Sequence, residues 1–102
     1  MGHSSKSGWM TYSLEFHTAA LKEWRKLGKT IKAQFKAKLA ERLEEPSISA
    51  ARLHGAGNRY KIKLRASGYR LVYEVRDREL VVLVISVGKR ERGKAYSKAA
   101  RR

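Results

Sequence analysis

Cysteine is absent from this chain, and proline occurs once, at Pro46. The first absence excludes disulfides and thiolate metal sites and points to a reducing compartment, which makes a cytoplasmic protein the expectation. Apolar runs are short. The longest, Leu80–Val87, has the length of a strand and falls far below the roughly 18–20 residues that span a membrane. No apolar signal-peptide core opens the chain. Histidines number three, His3, His17 and His54, and no two of them suggest a pair. Acids are scarce, nine against 24 Lys and Arg, with no cluster that would hold a divalent cation. No cofactor or metal is therefore expected.

Positive charge is what the chain has in excess, a formal +15 on 102 residues. Such a surplus works against compactness unless a polyanion relieves it, and nucleic acid is the first candidate. A membrane-surface protein would gather its cations on one amphipathic helix. Here they run through helices, strands and tail, so no membrane partner is expected. The length fits one domain. Residues 1–9, MGHSSKSGW, read as a vector-derived or disordered leader, and 10–102 as a single domain.

Thr11–Phe16 alternates weakly and reads as a strand. His17–Leu27 reads as a helix with Ala20, Leu21, Trp24 and Leu27 on one face, ended by Gly28. A second helix, capped by Thr30, runs to about Glu44 and stops before Pro46. Ile31, Phe35, Leu39 and Leu43 form its apolar stripe, with Ala33, Ala37 and Ala40 filling around them. Lys22, Arg25, Lys32, Lys36 and Arg42 are expected on the outside of this hairpin. Ser47–Asn58 is loop. Its Gly55-Ala56-Gly57-Asn58 stretch is turn chemistry, because it lacks the preceding strand and following helix of a phosphate-binding loop. Three strands follow as an antiparallel meander, the last apolar at nearly every position, as a strand covered on both faces would be. The tail, GKRERGKAYSKAARR, reads as a short, marginal helix. The class is α+β.

The stretch YKIKLRASGYRLVYEV packs Lys61, Lys63, Arg65 and Arg70 into one hairpin. With Ser67-Gly68 as a two-residue turn, Arg65 faces Arg70, Lys63 faces Val72 and Lys61 faces Glu74. Tyr60, Ile62, Leu64, Leu71, Tyr73 and Val75 then form a core face. Lys61, Lys63, Arg65, Arg70, Val72 and Glu74 form the other. Like charges opposite one another cost stability, so this face is unusual for a merely solvated one. It suits a phosphodiester. Cutting RNA without metal uses the ribose 2′-OH as nucleophile and needs a base, cations for the charge on phosphorus, and an acid for the leaving oxygen. With no histidine pair, Lys, Arg and Tyr must supply these. Crowded like charges and partial desolvation lower a lysine's proton affinity toward the range a base needs. Glu74 reads as an ion-pair partner of Lys61, and His17 as a helix-start residue. The alternative is a non-catalytic basic RNA- or ribosome-binding protein. A DNA-binding module is disfavoured, since no helix-turn-helix pattern is present.

The segments ALKEWRKLGKTIKAQFKAKL, YKIKLRASGYRLVYEV and LVVLVISVGKRERGKAYSKA closely resemble the RelE toxins of bacterial toxin–antitoxin systems, over about Met10 to Arg101. The resemblance implies a small microbial-ribonuclease-like fold: strand, helical hairpin, three-stranded antiparallel meander, C-terminal helix. It implies a metal-independent endoribonuclease that cuts mRNA in the A site of the 70S ribosome, with Lys61, Lys63, Arg70, Arg90 and Tyr96 catalytic. Lys63 would act as base or transition-state cation, Arg70 on the scissile phosphate, Arg90 at the leaving oxygen, and Tyr96 by stacking or at the 2′-OH. Further RNA contacts would come from Arg65, His54 and Lys89, with Lys22, Arg25, Lys32 and Lys36 docking ribosomal RNA. His54 departs from the basic residue common in relatives, and the small tail AYSKAARR implies loose docking. A RelB-like antitoxin is the implied partner, with operator DNA bound only through the antitoxin complex.

Overall fold

In the computed structural model, residues 12–53, 57–89 and 102 are described. The elements are β1 (Ser13–Phe16), α1 (Thr18–Arg25), α2 (Lys29–Glu44), a 3₁₀ turn (Ser49–Ala51), β2 (Arg59–Leu64), β3 (Tyr69–Arg76) and β4 (Val81–Lys89). The class is α+β as expected. The expected C-terminal helix and the leader lie outside the described residues.

His17 starts α1 by capping it: its Nδ1 accepts from the Ala19 N–H at 3.1 Å. This satisfies one donor left over at a helix start. Gly28, expected to end the first helix, instead caps the second with extended backbone, and Thr30 sits inside the helix. The stripe of α2 is as expected, with Phe35 and Leu39 buried and Ile31 and Leu43 half-buried. Ala33, Ala37 and Ala40 are exposed, so they cover none of the core. Small side chains on the outer face favour the helix without packing anything.

The four strands form one sheet in the order β1-β4-β3-β2, with β1 parallel to β4 and the rest antiparallel. Both helices cover one face. Ala20, Phe35 and Leu39 pack there against Tyr60, Ile62, Leu64, Leu71, Tyr73, Val75, Val82, Val84 and Val87. The opposite face buries a second group, Val72 and Ile85, with Leu53 and Leu83 beside them. The strand expected to be covered on both faces is so covered. Leu80 is not part of it. It sits in the β3–β4 turn with φ of 55° and is exposed.

A one-residue bulge decides which side chains of β4 face which way. Val72 pairs with Ser86, but Tyr73 pairs with Val84, leaving Ile85 without a partner on β3. Simple alternation from Val82 and Val84 would aim Ser86 at the core. The bulge turns Val87 there instead and moves Ser86 to the far face, where alternation already places Ile85 beside Leu83.

β1 is only four residues long, so β4 outruns it. His17 N–H donates to Val84 O at 2.8 Å, and past that point the edge of β4 needs other partners. Glu23 accepts from the Val87 N–H at 3.0 Å, and Arg102 donates to Ile85 O at 2.9 Å. The two side chains also pair in a fork, at 2.9 and 3.0 Å. The tail expected to dock loosely lies outside the described residues apart from Arg102, which is held by this bidentate ion pair and a backbone carbonyl.

Candidate active site

The β2–β3 hairpin carries the cationic face, but not in the register that a two-residue turn would set. The loop spans Arg65–Gly68. Gly68 takes φ of 80° and its N–H donates to Leu64 O at 2.8 Å. Arg65 therefore lies in the loop, not opposite Arg70. The pairs are Lys63↔Arg70, Lys61↔Val72 and Arg59↔Glu74. The shift equals two positions, and side chains alternate with a period of two, so both faces keep their membership.

Lys63 and Arg70 thus stand directly across from each other, a separation of about 5 Å between Cβ atoms in such pairs. Like charges so placed repel, and an anion seated between them reverses the sign of that interaction. Gly88 pairs with Arg70 on β4. Two cavities adjoin Lys63. One, of about 330 Å³, is lined by Lys63, Leu64, Arg65, Gly68, Tyr69 and Arg70. The other, of about 320 Å³, is lined by Arg42, Ile48, Ala50, Ala51, Lys61, Lys63 and Arg65. Lys63 and Arg65 border both, so the cations form a continuous trough rather than isolated charges.

Glu74 does not face Lys61. Its Oε1 accepts from Arg59 Nε at 3.2 Å and its Oε2 from Arg76 Nε at 2.9 Å. Both oxygens are thereby engaged, at the Arg59 register position, two residues along β2 from Lys61. Among the described residues no group of three or more His, Cys, Asp or Glu is arranged to hold a metal ion. Lys89 is exposed at the end of β4 opposite Tyr69, which puts it on the helix-side face and apart from Arg70. Lys22, Arg25 and Lys36 are exposed on the helices, and Lys32 is half-buried. These cations sit on the helices, which cover the face of the sheet opposite Lys61, Lys63 and Arg70. Arg90, Tyr96 and His54 lie outside the described residues.

Arg42, expected on the outside, turns inward instead. It is half-buried, and its Nη1 donates to Lys61 O at 3.1 Å and to Tyr73 Oη at 2.9 Å. Tyr73, fully buried, donates in turn to Pro46 O at 2.7 Å and stacks on Tyr60 with ring centroids 5.6 Å apart. Burial raises the Tyr73 hydroxyl above its usual titration range, and the Arg42 guanidinium pulls the other way. The hydroxyl stays protonated and so can serve as donor and acceptor at once. A helical count puts Arg42 next to Leu43 and one turn after Leu39, at the border of the apolar stripe. That border position was the sequence signal for an inward arginine.

The fold and the sequence are shared with known proteins. Residues 14–93 match the family model described as ParE toxin of the type II toxin–antitoxin system parDE. The mRNA interferase toxin RelE of Escherichia coli K12 is 60% identical over 93 residues, covering 91% of this chain and 98% of that protein. The free E. coli RelE toxin, as an arginine-to-alanine double mutant, superposes with a TM-score of 0.84 at 58% identity, covering 90% of this chain and 97% of that one. The toxin in the intact E. coli RelBE toxin–antitoxin complex gives 0.77 at 62% identity, covering 79% of this chain and 99% of that one. A chain with this fold, these strand cations and this identity belongs to the RelE toxins of the RelE/ParE toxin–antitoxin superfamily.

Proposed function

We propose that the chain is an mRNA interferase, the toxin of a type II toxin–antitoxin pair, which cuts mRNA in the ribosomal A site and so arrests translation. The observation that carries this reading is the opposed pair Lys63↔Arg70, bordered by Lys61 and Arg65, on a sheet face otherwise built for burial. The scissile phosphate sits on Arg70, where the guanidinium takes up charge as the phosphorane forms. Lys63, with Lys61 beside it, accepts the proton of the 2′-OH or holds the developing negative charge. The 2′-oxygen bonds to phosphorus, the bond to the 5′-oxygen breaks, and a proton passes to that oxygen. The products are a 2′,3′-cyclic phosphate and a 5′-hydroxyl. Arg90 and Tyr96 complete the set, at the leaving oxygen and at the nucleotide. No step in this sequence needs a metal ion bound by the chain.

A site without a carboxylate–histidine pair gains most from a partner that aligns the RNA for in-line attack. The ribosome supplies this, with the helical cations Lys22, Arg25, Lys32 and Lys36 docked on ribosomal RNA across the sheet from the trough. The setting is the cytoplasm. A RelB-like antitoxin is the natural inhibitor, as relatives have been solved with RelB bound. Cleavage mapping by primer extension in a translating extract tests the reading. Discrete cuts at A-site codons are expected, absent with Arg90→Ala. Undisturbed messages with the wild-type chain, or efficient cutting of ribosome-free RNA, would overturn the activity or its ribosome dependence respectively.

A further inference from the structure

Arg42 has a guanidinium held on one side and open on the other. Nη1 spends its two N–H groups on Lys61 O and Tyr73 Oη, both neutral acceptors. The cation also lies over the Tyr73 ring, 5.8 Å from its centroid. Among the described residues it makes no ion pair and no other hydrogen bond. The Nε and Nη2 edge is therefore unused, and that edge is the fork which binds carboxylates and phosphates in bidentate fashion. A half-buried arginine kept rigid by neutral groups, without a counter-ion, is costly alone and pre-organised for an anion. Tying α2 to β2 would need only a neutral donor.

The surroundings specify which anion. Arg42 lines the 320 Å³ cavity with Lys61, Lys63 and Arg65, against an apolar wall of Ile48, Ala50 and Ala51. Lys63 and Arg65 also border the neighbouring cavity that holds Arg70. A polyanion lying on Arg70 and Lys63 passes directly into the Arg42 cavity. The wall is suited to the sugar or base between two phosphates.

We propose that Arg42 forms a second phosphate site, which takes a phosphate of the RNA flanking the scissile one. This rests on the ribonuclease reading above. The test pairs a charge deletion in the protein with one in the RNA, a single methylphosphonate placed at each linkage flanking the cut on ribosome-bound mRNA. Arg42→Gln should cut the same codons about tenfold more slowly. Methylphosphonate at one flanking linkage should slow the wild type about tenfold and slow Arg42→Gln by less than about twofold, since the interaction is already gone. If the two losses multiply at every flanking linkage, Arg42 acts only through the fold and the proposal fails. A wild type that cuts no programmed mRNA is a different result, and removes the ribonuclease reading itself. Should Arg42→Gln fail to fold, Ala50→Glu leaves the clamp intact and sets a carboxylate on the exposed cavity wall. It should reproduce both the slower cutting and the insensitivity, and unchanged cleavage by Ala50→Glu overturns the proposal.

Discussion

Replacing Tyr73 by Phe removes one oxygen from the centre of the fold and nothing else. The ring stays, as does its stack on Tyr60 at 5.6 Å. Two hydrogen bonds go: the donation to Pro46 O at 2.7 Å and the acceptance from Arg42 at 2.9 Å. The site is fully buried, so water does not replace them easily. A neutral hydrogen bond contributes about 1 kcal/mol and one to a charged donor about 1.5–3 kcal/mol, so a loss of about 2–3 kcal/mol is expected after the smaller cost of burying the hydroxyl is returned. For a domain of this size that lowers the melting temperature by roughly 10–20 °C. Urea unfolding followed by circular dichroism measures it, and the denaturant slope should not change. The double variant with Arg42→Gln should be less destabilised than the sum of the singles, by about 1 kcal/mol. A loss under about 0.5 kcal/mol, or strict additivity, would refute the claim that Pro46, Tyr73, Arg42 and the β2 backbone act as one unit.

Tyr73 also sets an alkaline limit: its folded pKa is raised above about 10, so the unfolded chain releases this proton first and stability falls as pH climbs past 10. Unfolding curves in that range should fall less steeply for Tyr73→Phe than for wild type; equal slopes would show that the hydroxyl does not titrate differently on folding. Lys63→Ala and Arg70→Ala should each lower A-site cleavage at least about a hundredfold with melting curves within about 1 kcal/mol of wild type, because each removes one of two mutually repelling charges. A lost circular-dichroism signal would mark them as structural. Neutralising Lys22, Arg25 and Lys36 together should weaken ribosome binding and reduce its salt slope by about two to three, read by sedimentation at several salt concentrations; an unchanged slope would remove these helix cations from the docking surface.

Much of the fold was legible because periodicity reports burial. The stripe Ile31, Phe35, Leu39, Leu43 and the alternation through Tyr60, Ile62 and Leu64 each name one face of an element, whatever that face later meets. The two faces of the hairpin survived even a wrong turn length, since a shift by two positions preserves them. The pairings did not survive it. Whether Lys63 meets Val72 or Arg70 depends on the loop Arg65–Gly68, whose geometry rests on a single left-handed glycine and a hydrogen bond to Leu64 O.

Sequence by itself determined the charge, the element order, the cationic strand and the family. Tertiary structure alone decided that Glu74 belongs to Arg59 and Arg76, that a bulge sends Ser86 away from the helices and Val87 toward them, and that Arg42 turns inward. The division has a physical cause. A residue's face follows from its neighbours in the chain, a few bonds away, whereas its partner follows from where distant segments are brought to pack. Arg42 and Lys61 are nineteen positions apart, and only the closing of α2 onto the edge of β2 makes one the other's hydrogen-bond donor.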